Sequence, residues 1–274
     1  MTANFSWSKN RKQYRADTDG SFPMPAFDLT GRTAFVTGAS SGLGRHFAMV
    51  LAAAGASVAV SARRVDRLRE VQSEIEQRGG RCSAVALDVT DEARIAPALD
   101  EAEAALGPID ILVNNAGMNV PGPSLDLAVA DFDRIIATDL RAPFLLAREM
   151  GRRMIARKQR GRIINIASIG SFRVLPGMTA YCIAKAGVAM MTQCLAREWA
   201  RYDITVNAVC PGYIETELND TWFNSEKGKE QIRSFTRRRL QQAEDLDGLL
   251  LLLASDASRA ITGSVLTADD AQSL

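Results

Sequence analysis

The strongest constraint on the fold is an alternation of short β-branched runs with longer helical patterns. Strand-like runs occur at Thr33–Thr37, Ser57–Ser61, Ser83–Leu87, Ile109–Val113, Arg162–Ile166 and Ile204–Ala208. Helix-like stretches separate them, among them Gly44–Ala54 and the charged, amphipathic Val65–Arg78. Strands that take turns with helices build βαβ units, so the pattern predicts an α/β fold: a doubly wound parallel sheet of Rossmann type with helices on both faces. The punctuation agrees. Gly55, Gly79-Gly80 and Gly107-Pro108 stand where helices should stop, and Thr90-Asp91-Glu92 offers a cap and an acidic first turn.

At 274 residues the chain could hold two small domains, but α/β folds of this size commonly form around one sheet. The expected organisation is therefore an N-terminal extension over residues 1–27 and one domain over 28–274. With 33 Lys+Arg against 32 Asp+Glu, the chain lacks the basic excess that marks nucleic-acid or anionic-membrane binding, so neither partner is expected. The first 28 residues are polar, with no apolar run of signal-peptide length, and the apolar run Leu249–Ala254 is too short to span a bilayer. A cytoplasmic protein is the expectation. Cys82, Cys182, Cys194 and Cys210 lack CxxC spacing and have apolar neighbours, which reads as four buried free thiols. No His/Cys/Asp cluster has metal-ligand spacing, so no metal is expected, and His46, the single histidine, reads as a packing or capping residue.

Thr37-Gly-Ala-Ser-Ser-Gly-Leu-Gly44 falls where the first strand should turn into the first helix. Glycines at 38, 42 and 44 allow a tight turn and close backbone approach, so that the helix amino end can meet a pyrophosphate. Gly38, Ser40, Ser41, Gly42, Leu43 and Gly44 are thus candidate dinucleotide contacts. About 20 residues on, where a carboxylate would hold the ribose of NAD, the second strand ends in Arg63-Arg64. Two guanidinium groups there can pair with the extra phosphate of NADP, so NADP(H) is the expected cofactor and NAD(H) the alternative. Asp88, after the third strand, reads either as an adenine contact or as the cap of the next turn.

Tyr181 and Lys185 stand four residues apart on one helical face, and Ser168 ends a strand thirteen residues before Tyr181. Taken with the ordered motifs Thr37–Gly44, Asp88-Val89, Asn114-Asn-Ala-Gly117 and Pro211-Gly212 followed by Thr216, these residues make the chain similar to the short-chain dehydrogenases/reductases over about residues 28–270. Its wording most resembles the branch of oxoacyl-carrier-protein reductases and gluconate 5-dehydrogenase-like enzymes. The resemblance implies NADP(H)-dependent hydride transfer between a nicotinamide and a carbonyl or secondary alcohol, with NAD-dependent oxidation of a polyol, sugar acid or hydroxysteroid, or nucleotide binding without turnover as a sensor or scaffold, as the alternatives. Tyr181 would be the proton donor and acceptor, Lys185 would favour the phenolate and bind the nicotinamide ribose, and Ser168 would hydrogen-bond the reacting oxygen. It also implies cofactor contacts from Asp88, Val89, Asn114, Asn115, Ala116, Gly117, Tyr181, Lys185, Pro211, Gly212, Ile214 and Thr216, and a homotetramer or homodimer.

The chain departs from the family pattern twice. Asp139 stands where relatives have an Asn that props a helix kink and a proton-relay water; an ionised Asp cannot donate a hydrogen bond, so a fourth catalytic role for Asp139 is expected only in altered form. Asp269-Asp270-Ala271 stands where relatives tend to have glycine, which predicts an altered turn. Residues 213–241 lose strand periodicity and read as a substrate lid or as surface helices. Within them Arg237-Arg-Arg239 reads as an acid-receiving group or a solvated basic face, and Met190-Met191 reads as core or subunit packing.

Overall fold

A computed structural model describes residues 27–214 and 220–274. Seven strands run β1 (Thr33–Thr37), β2 (Ser57–Ala62), β3 (Cys82–Ala86), β4 (Ile111–Asn114), β5 (Gly161–Ile166), β6 (Ile204–Pro211) and β7 (Val265–Ala268). The helices are α1 (Gly42–Ala53), α2 (Val65–Gln77), α3 (Glu92–Leu106), α4 (Val129–Ile136), α5 (Ala142–Ala156), α6 (Thr179–Trp199), α7 (Asp220–Phe223), α8 (Glu226–Ser234) and α9 (Asp247–Ala254). All pairs of neighbouring strands are parallel, in the order β3-β2-β1-β4-β5-β6-β7. The expected α/β sheet is therefore present, with a seventh strand that its short, Thr-interrupted run did not reveal.

Alternation along each strand sends side chains to two separate cores. On β1, Ala34 and Val36 pack with residues of α1, α2 and α9, while Phe35 joins Leu99 of α3, Leu146 and Met150 of α5 and Leu195 of α6. This period of two is the reason that fully buried strands here read as nearly continuous apolar runs. The strand order reverses between β1 and β4, so the connections leave in opposite directions there and open a crevice at the carboxyl ends of these strands.

Local signals explain some helix boundaries. Asp91 caps α3 by accepting a hydrogen bond from the Ala93 amide, and Gly107 follows with φ of 92°. His46 on α1 lies 2.6 Å from Asp247 on α9, tying two helices on one face of the sheet. Between α4 and α5 the chain forms a wide π-turn over Ala137–Arg141, a detail that periodicity does not encode. No described helix is long and apolar enough to cross a membrane.

The thiol expectation needs correction. All four cysteines are free, but only Cys82 and Cys210 are buried; Cys182 is half-buried and Cys194 exposed. Both of the latter lie on α6, whose outer face the apolar flanking residues did not disclose. Met190 is also exposed on that helix, so Met191 supplies the core contact. Burial, reinforced by Glu76, pushes the Cys82 thiol up to about 12. An aromatic disulfide reagent at neutral pH should therefore leave Cys82 and Cys210 unlabelled in the folded protein, both reacting only on unfolding. Mass mapping of labelled peptides against time checks this.

Candidate active site

The residues after β1, β2, β3, β4, β5 and β6 all lie at the carboxyl edge of the sheet, so the scattered sequence motifs converge there. The loops after β1 and β4 are stapled together. Thr37 Oγ1 accepts hydrogen bonds from the Asn115 and Ala116 amides, each at 3.0 Å, and Asn115 Nδ2 donates to Thr37 O at 2.9 Å. This closeness explains the glycines. A Cβ on Gly44 would stand 2.3 Å from Gly38 O and 2.5 Å from Asn115 Nδ2, and Gly38 has φ of +67° with Ala116 Cα 2.9 Å from its would-be Cβ. The amino end of α1 is thus left bare of side chains where a pyrophosphate can approach it. Leu43, in the first turn of α1, packs partly buried against the core.

Arg64 and Arg63 take different parts. The Arg64 guanidinium donates to Ser40 Oγ (3.0 Å) and Ser41 Oγ (2.7 Å), which holds a cation over the glycine loop. A cavity of about 670 Å³ lies along this end, lined in part by Ser40, Ser41, Arg45, Arg64 and Arg67. It follows the outer faces of α1 and α2, away from Tyr181. Arg63 faces Asp88, whose Oδ1 accepts from the Thr90 amide and hydroxyl. Burial pushes the Asp88 carboxyl up, but the Thr90 hydrogen bonds and Arg63 outweigh it and hold it below its usual range. Asp88 thus caps the following turn through Oδ1. Val89 is buried against α3.

At the other end of the crevice, Ser168 and Tyr181 flank Gly170. A Cβ built there would lie 3.4 Å from both Ser168 Oγ and Tyr181 Cε1, ordinary contact distances that place the two side chains on either side of Gly170. Ser168 Oγ accepts from the Gly170 amide at 3.0 Å. Lys185, one turn beyond Tyr181 on α6, is buried; its Nζ donates to Ile166 O at 2.9 Å and lies 5.5 Å from the Tyr181 ring centre. Asp139, within the π-turn, places Oδ2 3.3 Å from that ammonium and accepts from the Met118 amide through Oδ1 at 2.8 Å. Burial pulls Lys185 down, yet the Asp139 carboxylate and the Tyr181 phenol outweigh it and hold the ammonium above its ordinary range. Gly117 covers this pair: a Cβ there would meet Asp139 Oδ2 at 2.9 Å.

Other expectations are redistributed. Asn114 does not face the crevice, contrary to its expected cofactor role; its Nδ2 donates to Asn165 Oδ1 and Pro143 O in a buried chain that continues to Thr192. The side chain of Asn115 is spent on the staple, which leaves Ala116 and Gly117 as the open stretch of that loop. Pro211 ends β6, and the Gly212 amide donates to Gln241 Oε1 at 3.0 Å. Ile214 is buried and bridges Gln241, while Thr216 lies outside the described residues. Gln241 and Gln272, whose Oε1 takes the Tyr213 amide at 2.6 Å, clamp this strand end and had no sequence signal, because both act across long separations.

The described part of residues 213–241 contains α7 and α8, with Tyr213 stacked on Phe235 at 5.5 Å and edge-on to Phe223 at 5.6 Å. Arg237 and Arg239 pair with Asp270, and Arg239 also with Asp245, while Arg237 and Arg238 remain exposed. Asp270 and Ala271 have φ of 57° and 61°, left-handed conformations that favour glycine.

Comparison with known proteins gives one answer. The family model described as short chain dehydrogenase matches residues 32–227. Gluconate 5-dehydrogenase of Gluconobacter oxydans (strain 621H) is 35% identical over 244 residues, covering 89% of this chain and 95% of that protein. Nodulation protein G of Rhizobium sp. (strain N33) is 37% identical over 241 residues, covering 88% and 96%. Among solved structures, a gluconate 5-dehydrogenase from Burkholderia cenocepacia J2315 in complex with NADP and tartrate superposes with a TM-score of 0.85 at 34% identity, covering 89% of this chain and 96% of that one.

The packing at Gly44 generates a direct test. Gly44→Ala should force apart the loops after β1 and β4 and reduce dinucleotide affinity by at least about tenfold, with a loss of stability on the order of 1–3 kcal/mol. Cofactor fluorescence titration and thermal melting measure the two effects.

Proposed function

Because this chain belongs to the short chain dehydrogenase family, we propose that it is an NADP(H)-dependent oxidoreductase interconverting a secondary alcohol and a carbonyl, with Tyr181 as proton donor and acceptor. The observation that carries this reading is the meeting of Ser168 and Tyr181 around Gly170, with the buried Lys185 ammonium 5.5 Å from the Tyr181 ring. A dinucleotide fits the residues present: the bare amino end of α1 would take its pyrophosphate, and Arg64 with Ser40 and Ser41 a phosphate on the adenosine ribose. Solved neighbours with NADP bound support that preference.

The bound nicotinamide supplies or accepts the hydride. The chain's own residues handle the oxygen. Ser168 Oγ hydrogen-bonds the carbonyl oxygen, and Tyr181 gives it a proton during reduction or removes one during oxidation. A phenol is a poor base near neutrality, so the task needs the adjacent ammonium of Lys185. Lys185 keeps its place through Ile166 O and has further N–H groups for the cofactor ribose. Gly117, Ala116 and Gly212 line the path as backbone, and Tyr213, Phe223 and Phe235 form an aromatic wall on the substrate side. Sugar acids are the substrate class to test first, given the relatives named gluconate 5-dehydrogenase. The exposed Phe144, Ile183 and Met190 on α5 and α6 form the face we assign to contact between subunits in a dimer or tetramer.

Titration with NADPH and NADH, followed by a panel of sugar acids, polyols and ketones, tests the proposal. Tyr181→Phe should lower turnover by about 10²-fold or more while leaving cofactor affinity intact; retained turnover refutes the assigned proton donor. Arg64→Asp should weaken NADPH binding by roughly 1.5–3 kcal/mol, the worth of a hydrogen bond to a charged group, and leave NADH binding nearly unchanged. An unaltered ratio of the two affinities refutes the phosphate site.

A further inference from the structure

Asp139 introduces a negative charge at the heart of the site. Its side chain is fully buried, with Oδ1 held by the Met118 amide and Oδ2 directed at Lys185 Nζ without an aligned hydrogen-bond donor. The π-turn over Ala137–Arg141 and the bare Gly117 together make the space for it. The titratable groups that face the ammonium are Asp139 from this turn, Tyr181 from its own helix and Cys210 from β6, and burial raises the Cys210 thiol, which keeps it neutral near pH 7. Asp139 is thus the group among these that carries a full negative charge when the pair is ionised. Burial raises the Asp139 carboxyl, and the Lys185 ammonium 3.3 Å away together with the Met118 amide pulls the other way, toward the ionised pair.

Lys185 is asked to do two things that conflict. Its positive field draws Tyr181 toward phenolate, but a carboxylate 3.3 Å from Nζ, closer than the Tyr181 ring centre at 5.5 Å, cancels much of that field. We propose that Asp139 is a positioning residue that acts through Lys185: it holds the ammonium as half of a buried ion pair and, by offsetting its charge, keeps Tyr181 in the proton-donating form near neutral pH. This rests on the reading of Tyr181 as proton donor and acceptor. A protonated phenol is the form that reduces a carbonyl, and a phenolate the form that oxidises an alcohol. The enzyme competent for reduction therefore predominates near neutrality, and the enzyme competent for oxidation predominates only in alkali. The overall equilibrium of the reaction is untouched.

Asp139→Asn keeps the shape and removes the charge, so the pH profile is the decisive readout. The acid limb of kcat/KM for NADP⁺-linked oxidation should move down by about one pH unit, the lower end of the effect of a neighbouring charge. The alkaline limb of NADPH-linked reduction should move down with it. A second readout needs no substrate: with four tyrosines in the chain, the tyrosinate absorbance lost in Tyr181→Phe isolates one residue, and it should develop at lower pH in the Asp139→Asn background. Asp139→Ser, a smaller side chain that still accepts from the Met118 amide, serves if the amide variant does not fold. A merely structural Asp139 would reduce kcat at every pH with the limbs in place, and limbs that stay or move up overturn the proposal. Turnover retained in Tyr181→Phe would instead overturn the reading beneath it.

Discussion

The reversal of strand order between β1 and β4 is the constraint on which the site depends. Connections that diverge at this point leave a crevice that no helix fills, and the protein closes its floor with a few short polar bonds rather than with apolar mass. Thr37 and Asn115 carry that closure: one hydroxyl receives two amides from the neighbouring loop, and one carboxamide returns a hydrogen bond to the first. Backbones drawn this close exclude side chains, which is why Gly38 and Gly44 cannot be replaced without parting the loops. The same bareness that permits the closure exposes the amino end of α1 to an anion.

A second polar layer lies under the first. Asn114, Asn165 and Thr192 run as a buried hydrogen-bonded chain from β4 through β5 to α6, and α6 is the helix that carries Tyr181 and Lys185. Burying such groups costs free energy unless they are paired, so a chain of this kind fixes the register of the helix against the sheet more narrowly than apolar packing does. The π-turn works from the opposite side. By widening one turn between α4 and α5 it brings Asp139 to the ammonium, and the reacting end of the site is gripped from sheet and helix alike.

At the carboxyl end of the chain, charge performs a task that glycine commonly performs. Asp270 and Ala271 adopt left-handed backbone conformations that cost free energy for residues with a Cβ, and the turn is held by Arg237, Arg239 and the Asp269 carboxylate, which takes the Ala271 and Ser273 amides. The bonds that stabilise the turn also anchor the segment after α8 to it. Strain near the substrate side is thereby coupled to the placement of the aromatic wall formed by Tyr213, Phe223 and Phe235.

The sequence by itself determined the parallel α/β architecture, six of the seven strands and the positions of Gly38, Gly44, Arg64, Ser168, Tyr181 and Lys185, because each depends on a local period or a short spacing that survives in one dimension. It missed β7, whose four residues are too few and too mixed to show a period. Only the tertiary structure decided that Asn114 is buried between strands while Asn115 staples two loops, that Asp88 caps a turn, that two cysteines are exposed to some degree, and that Arg237 and Arg239 pair with Asp270. It likewise decided that Asp139 meets Lys185 across 46 positions of chain, since the meeting requires a widened turn, a missing side chain at Gly117 and an orientation of α6 at once. Such contacts are written in distances between segments, and a linear spacing carries no record of them.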